Sequence, residues 1–331
     1  MPSVIFTFTP NPSIDVTYAV DQLTAGEVIR VTSSSREPGG KGINVAHTLL
    51  KAGEQTLALA PANDRDPFVM LTHEADIPLH TVAVDGCVRT NTTITDTAGV
   101  TTKLNESGAQ LNPETIAELE EAVEVNAAQA DVVVFAGSLP PGAPRDWYST
   151  LVATARRAHP SALIAVDTSD EPLIALGEGL ESTSPDIMKP NGYELGQLAG
   201  VDGQMLEEAA SRGDLRPVVD AACTVLARGV PELLVTLGGS GACLVTADSV
   251  WSATPPPAQI RSTVGAGDSA LAGYVFARMH GMDYPEALRY SVAYGTAAAS
   301  NPGTAIPTPD DLDLARTIVK AVSRATGEEM E

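Results

Sequence analysis

Short apolar runs stopped by turn residues alternate along this chain with stretches whose apolar positions recur every three or four residues. Residues 3–9 are an apolar run ended by Pro10-Asn11-Pro12, which predicts a buried strand. Residues 16–20 and 27–33 alternate apolar and polar positions and predict two half-exposed strands. Gly39-Gly40-Lys41-Gly42 then leads into a helix over 43–52. A strand over 55–60, a short helix over 67–74 and a strand over 79–84 follow. Residues 89–95 and 100–105 set threonine against apolar residues on either side of Thr97-Ala98-Gly99, the pattern of a hairpin. Asn112-Pro113 starts a helix to about residue 130, and 131–136 is a wholly apolar strand running into Gly137-Ser138-Leu139-Pro140-Pro141-Gly142.

The second half is more regular. It predicts helix 144–158, strand 162–166, strand 186–189 with a helix after Pro190, and a helical stretch over 205–228. Strand 232–236 runs into Leu237-Gly238-Gly239-Ser240-Gly241, strands 242–246 and 249–252 follow, and helices cover 267–280, 285–300 and 309–324. Strands and helices alternating through short loops predict an α/β fold, a mostly parallel sheet with helices on both faces. The threonine-rich strands of the first third do not fit that sheet and predict a small antiparallel layer projecting from it. No repeat or linker divides the chain, so residues 1–331 read as one domain with inserted strands at about 15–36 and 88–108.

Charge narrows the partners. Forty-two acidic against 20 basic residues give a net charge of −22, which excludes nucleic acid and anionic membrane as main partners. Any basic residue near a site therefore carries information. Cys87, Cys223 and Cys243 are odd in number and far apart, so they predict neither a disulfide framework nor a zinc site. The start lacks a basic region and no apolar run reaches spanning length, which places the expected location in the cytoplasm.

The most informative chemistry lies in residues 262–273, STVGAGDSALAG. Gly265 and Gly267 form a turn into a helix N-terminus, where unpaired amides and the helix dipole suit phosphate. Asp268, in the first turn, is placed to act as a general base beside that anion site. Other polar or glycine-rich groups also fall just past strand ends: Gly39 to Asn44, Gly137 to Gly142, Asp167, Asn191 with Glu194, and Gly238 to Gly241. That edge is where open α/β sheets bind ligands.

These motifs, in this order, resemble the PfkB branch of the ribokinase-like carbohydrate kinases, and the resemblance covers nearly the whole chain. TPNPSIDVTY and PGGKGINVA are similar to the family's sugar-binding signature, and AGSLPPG, KPNGYEL and VTLGGSGACLV to its central blocks. STVGAGDSALAG resembles its C-terminal signature. The resemblance implies a three-layer α/β/α sandwich with a small β-strand lid, and phosphoryl transfer from ATP. In it Asp268 is the base, and Gly265, Ala266 and Gly267 hold the phosphoryl group. Asn191 and Glu194 organise Mg²⁺ through water. Lys189, Thr236, Gly238, Gly239 and Gly241 line the nucleotide, with Val292 and Thr296 near the adenine. Ser262, Val264, Asn301 and Gly303 stand where some relatives hold a monovalent cation such as K⁺.

On the acceptor side the resemblance implies Asp15, Gly39, Gly40 and Asn44 at the sugar hydroxyls and a homodimer formed through the lid. The NPSID and GGKGINVA variants resemble the phosphofructokinase and tagatose-phosphate kinase group, whose substrates already carry a phosphate. Lys41, Arg89, Lys103 and Ser138 are the expected anchors for it. Gly26-Glu27-Val28 and Lys41 favour fructose 1-phosphate phosphorylated at O6, with tagatose 6-phosphate and fructose 6-phosphate as alternatives. An unphosphorylated-sugar or nucleoside kinase is a further reading, and a non-catalytic sugar-phosphate sensor a distant one that the intact Asp268 and glycine turn argue against. A nicotinamide oxidoreductase lacks its GxGxxG turn after the first strand. Two stretches depart from the family pattern: residues 63–68 replace a glycine-rich turn, and Asp170 stands where glycine is common.

Overall fold

The computed structural model describes residues 4–301, 303 and 305–330; Ser3, expected to open the first strand, lies outside them. The first third contains β1 (Val4–Phe8), β2 (Ser13–Val20), β3 (Ser33–Gly39), α1 (Lys41–Lys51), β4 (Gln55–Pro61), α2 (Pro67–Glu74), β5 (Leu79–Val82), β6 (Arg89–Asp96) and β7 (Thr101–Asn105). The middle contains α3 (Pro113–Ala127), β8 (Val132–Ala136), α4 (Trp147–Ala158), β9 (Leu163–Asp167), α5 (Asp170–Gly179), β10 (Ile187–Met188), α6 (Gly192–Ala199), α7 (Gly203–Ser211) and α8 (Arg216–Leu226). The last part contains β11 (Glu232–Thr236), β12 (Ala242–Thr246), β13 (Val250–Thr254), α9 (Ala266–Met279), α10 (Tyr284–Ser300) and β14 (Ile318–Ala321).

Ten strands form one sheet in the order β14-β13-β12-β11-β10-β9-β8-β1-β4-β5. From β5 to β11 every neighbouring pair is parallel, and β11 to β14 are antiparallel. The apolar strands are buried on both faces, as parallel strands must be when helices cover both sides. Successive side chains point to opposite faces. Phe6, Phe8, Val133 and Phe135 therefore enter one core, and Ile5, Val132, Val134 and Ala136 the other. The carboxyl ends of β1, β8, β9, β10 and β11 share one edge, and every candidate motif of the parallel part opens there.

The second sheet has the order β3-β2-β6-β7. It projects as expected but is mixed rather than antiparallel, because β2 and β6 run parallel while β2/β3 and β6/β7 are antiparallel. The hairpin at Thr97–Gly99 forms. The strand expected at 27–33 does not: Val28 is 92% exposed, and pairing with β2 starts only at Ser33. Alternation there marks an exposed loop, since neither face has anything to pack against.

Three further corrections concern helices. The stretch over 205–228 breaks into α7 and α8 at Gly213, whose φ is +81°. α5 was not expected; it begins at Asp170, a non-glycine residue at φ +57° where glycine is easier. Residues 309–324 are not a helix. After a 3₁₀ turn at Pro309–Asp311, Asp313 accepts from the amides of Arg316 and Thr317 to make a turn, and β14 pairs with β13. The free edge of β13 supplied main-chain partners that helical periodicity does not reveal. The departing loop at 63–68 is held by its own side chains: Asp66 accepts from the amides of Phe68 and Val88, and Asn63 donates to the carbonyls of Val84 and Gly86. Among the described residues no helix is long and apolar enough to cross a membrane.

Candidate active site

Gly265, at φ +76°, caps α9 and turns the chain so that the amides of Ala266, Gly267 and Asp268 open the helix without intrahelical acceptors. Asp268 is 7% exposed in that first turn. Its Oδ2 accepts from Asn44 Nδ2 at 2.8 Å. Burial pushes the Asp268 carboxyl up to about 6; the charge of Asp167 adds to the shift, and Lys41, Asn44 and Lys189 oppose it. A base that titrates near 6 is ionised at neutral pH and still basic enough to take a proton from a hydroxyl at the moment of attack.

Lys41, the first residue of α1, donates from Nζ to Asp167 Oδ1 at 2.8 Å. Lys189, just past β10, pairs with Asp167 Oδ2 at 3.0 Å. Burial works against the charge on Asp167, but Lys189 and Lys41 outweigh it and hold the carboxyl below its ordinary value. Burial likewise opposes the charge on Lys41, yet Asp167, Asp268 and Glu194 keep it protonated well above the usual lysine range. The sequence marked Asp167 only as a residue past a strand end. Lys41, expected beside Arg89, lies instead among these carboxylates. The reason is that Gly40 turns the chain into α1 and aims its first side chain across the sheet edge.

A cavity of about 840 Å³ opens from this point. Lys41, Asp167, Lys189, Asn191, Glu194 and the Gly265–Asp268 turn are among its lining residues. Thr236, Gly238, Gly239 and Gly241 line it too, as do Val292 and Thr296 of α10 and Pro255 to Pro257. Asn191 and Glu194 form a reciprocal cap on α6: Asn191 Oδ1 accepts from the Glu194 amide and Glu194 Oε2 from the Asn191 amide, both at 2.8 Å. Burial raises the Glu194 pKa, with Asp167 adding and Lys41 and Lys189 opposing. Glu207 of α7, which the sequence reading missed, lines the same cavity and accepts from the Gly192 amide at 2.9 Å. Among the described residues no three His, Cys, Asp or Glu side chains converge closely enough to hold a metal directly. Glu194 Oε1, left outside the cap, lines a cavity with few converging carboxylates, which fits Mg²⁺ held through water, as that ion prefers.

Asp15, Gly39, Arg89 and Lys103, expected on the acceptor side, lie on the small sheet. Ser13 pairs with Arg89, Asp15 with Asn91, and Thr93 with Lys103, so the two-residue period sets Asp15, Arg89, Asn91 and Lys103 on one face. Asp15 Oδ1 accepts from Ser13 Oγ at 2.7 Å and Asn91 Nδ2 at 3.2 Å. Burial raises the Asp15 pKa, while Ser13, Asn91, Arg89 and Lys103 pull it down. Gly39 lies against that carboxylate, and a Cβ there would fall 2.4 Å from it, so any other residue would push the carboxylate out of place. Arg89 donates from Nη2 to Ser138 Oγ and to the Asn11 carbonyl, both at 3.2 Å. Its Nε is buried without a partner. Asn11 Nδ2 reaches Ser138 Oγ and the Leu139 carbonyl at 3.4 Å. Asn11 and Asn91 went unnoticed in the sequence; Asn91 is two residues from Arg89 on a strand, which is the available signal. Lys103 is exposed on β7 and acts on Asp15 only through its charge, with no hydrogen bond or ion pair to this group among the described residues.

Ser262 and Val264 stand just before the glycine turn. The Ser262 amide donates to the Ala299 carbonyl at 3.2 Å, which brings it to the last turn of α10 near Asn301. Asn301 donates to the Ala305 carbonyl.

The sequence profile of the pfkB family carbohydrate kinases matches residues 11–311, and the chain belongs to that family. It is 34% identical over 319 residues to a 1-phosphofructokinase of Rhodobacter capsulatus, covering 95% of this chain and 96% of that one. It is 30% identical over 311 residues to the ATP-dependent 6-phosphofructokinase isozyme 2 of Escherichia coli, covering 93% and 96%. The crystal structure of phosphofructokinase-2 from Escherichia coli in complex with potassium superposes with a TM-score of 0.83 at 30% identity, covering 94% of this chain and 97% of that chain. The fold is therefore the ribokinase-like α/β fold of these kinases.

Proposed function

We propose that this protein transfers the γ-phosphoryl group of ATP to a hydroxyl of a ketohexose phosphate, and that it converts fructose 1-phosphate to fructose 1,6-bisphosphate. The observation that carries the reading is the position of Asp268. It lines the 840 Å³ cavity together with Lys41, is bonded to Asn44 of α1, and has the glycine turn alongside. Asp15, Gly39, Gly40 and Asn44 orient the sugar hydroxyls, and Arg89 with Ser138 holds the phosphate that the sugar already carries. The acceptor oxygen gives its proton to Asp268 and forms a bond to the γ-phosphorus. The bond from that phosphorus to the β,γ-bridging oxygen breaks, and ADP keeps that electron pair. The amides of Gly265, Ala266 and Gly267 stabilise the oxygens of the group in transit. We assign Lys41 to this transferring group rather than to the sugar's own phosphate, because it lies with Asp167, Asp268 and Glu194.

Mg²⁺, held through water by Asn191 and Glu194, would neutralise charge on the triphosphate. Thr236, Gly238, Gly239, Gly241, Val292 and Thr296 hold the nucleotide, and Lys189 reaches its phosphates. Ser262, Val264, Asn301 and Gly303 are our assignment for a K⁺ site, in line with the potassium complex of the Escherichia coli relative. The whole chain acts as one kinase unit whose small sheet is a lid. The lid's other face carries Val16, Tyr18, Ile94 and Leu104, with Leu104 59% exposed, which supports a homodimer formed by lid-to-lid packing. The acidic surface fits a metabolic enzyme of the cytoplasm.

ADP release measured on fructose 1-phosphate, fructose 6-phosphate, tagatose 6-phosphate and free fructose tests the reading. The highest kcat/KM is expected on fructose 1-phosphate, with phosphorus NMR placing the new ester at C6. A higher value on either 6-phosphate would reassign the substrate; equal rates on free fructose would remove the phosphate requirement.

A further inference from the structure

Asp167 joins two walls of the site. Lys41 comes from the sugar-side helix and Lys189 from the nucleotide side, and their ammonium groups lie 2.8 and 3.0 Å from its two oxygens. The Asp167 side chain has no exposure, that of Lys189 is 5% exposed and that of Lys41 32%. Lys189 Nζ also lies against the anion turn, 3.4 Å from where a Cβ on Gly267 would stand. Stability gives no reason for this arrangement, because apolar side chains of the same volume stabilise a core at least as well as a buried ion triad. Two ammonium groups and one carboxylate give the triad a single positive charge, and the carboxylates of Asp268 and Glu194 lie beside Lys41.

We propose that Asp167 is a positioning residue that keeps Lys41 and Lys189 aimed at the transferring phosphoryl group while competing with it for their charge. The proposal rests on the kinase reading above and adds a residue that acts through the two lysines. Lysines that gripped ATP with their full charge would tighten the ground state and the transition state alike, which lowers KM without raising kcat. A carboxylate that shares them weakens the ground-state grip and fixes their direction. Removing its charge should therefore tighten nucleotide binding and slow turnover, opposite in sign to the loss of affinity that plain disruption of the site brings.

The test compares wild type with Asp167→Asn. Titration calorimetry with the β,γ-imido analogue of ATP in EDTA should show Kd falling at least about threefold, and steady-state assays should show kcat falling at least about tenfold with KM for ATP falling too. Unchanged or weaker binding of the analogue would overturn the proposal. So would a kcat restored by excess Mg²⁺, which would make Asp167 a residue of the metal's water shell. A wild type that binds no analogue would instead overturn the kinase reading. If Asp167→Asn does not fold, Lys189→Met and Asp167→Asn/Lys189→Met remove the buried pair stepwise. The double variant should bind the analogue more tightly than Lys189→Met, and equal or weaker binding again overturns the proposal.

Discussion

Asn44 and Asp268 are 224 positions apart in sequence, yet Asn44 Nδ2 donates to Asp268 Oδ2 at 2.8 Å. This bond closes the site. It ties α1, which follows the sugar loop, to α9, which carries the anion turn. It also stabilises the charged form of a carboxylate that burial disfavours.

Asp268→Asn should lower kcat about 10²–10⁴-fold while sugar and ATP bind nearly as before, because the amide keeps the shape but takes no proton. The same variant should be more stable than wild type at pH 8. The folded carboxyl titrates at about 6 against 3.8 for the ordinary group, so its contribution to stability falls as pH rises through that interval. The gain should be on the order of 2–3 kcal/mol above pH 7 and vanish near pH 4. Urea unfolding at the two pH values checks it; equal effects at both would show that the carboxyl is not shifted upward.

Asn44→Ala should move the acid limb of kcat/KM to higher pH. Wild-type activity should fall below about pH 6 as Asp268 takes up a proton. Without the donated hydrogen bond the carboxyl rises further, so the limb should shift upward while the plateau at high pH falls less than for Asp268→Asn. A limb that stays in place would separate Asn44 from the base.

Arg89→Ala should cut kcat/KM for fructose 1-phosphate by well over tenfold, since losing one partner of an enclosed phosphate costs about 2–5 kcal/mol. The KM for ATP should hardly change, because Arg89 lines the lid side and not the 840 Å³ cavity. Free fructose should be a poor substrate for both proteins. An equal loss on both sugars would show that Arg89 orders the lid and does not grip phosphate.

Glu194→Gln keeps an acceptor for the Asn191 amide, so the cap on α6 survives and unfolding should change by less than about 1 kcal/mol. The Mg²⁺ concentration for half-maximal rate should rise several-fold. An unaltered Mg²⁺ titration would leave Glu194 as a helix cap alone.

Glu232 makes a stability prediction away from the site. It accepts from Tyr274 at 2.6 Å and from Tyr284 at 3.3 Å, and pairs with Arg278 at 3.0 Å. Arg278 in turn stacks over the Tyr284 ring at 4.5 Å. Glu232→Ala leaves Arg278 uncompensated at the far end of α9 and should cost about 3–5 kcal/mol, as denaturant unfolding would measure. A loss below about 1 kcal/mol would mean that water replaces the carboxylate there.

The sequence by itself determined the parallel sheet, the projecting strands, the glycine turn before Asp268 and many of the residues that line the 840 Å³ cavity. These are local: period-two and period-3.6 patterns, turn residues at strand ends and a helix entry are written in consecutive positions. It misjudged residues 27–33 and 309–324, where alternation and helical spacing held but the neighbours decided: β2 had no use for the first, and the open edge of β13 drew in the second. Only the tertiary structure decided which charges Lys41 meets. In sequence it belongs to a sugar loop beside other bases; in space it pairs with Asp167, 126 positions on, and faces Asp268 and Glu194. Which charges meet is fixed by how strands from distant parts of the chain share one sheet edge, and a side chain's electrostatic partner a hundred residues away leaves no periodicity to read.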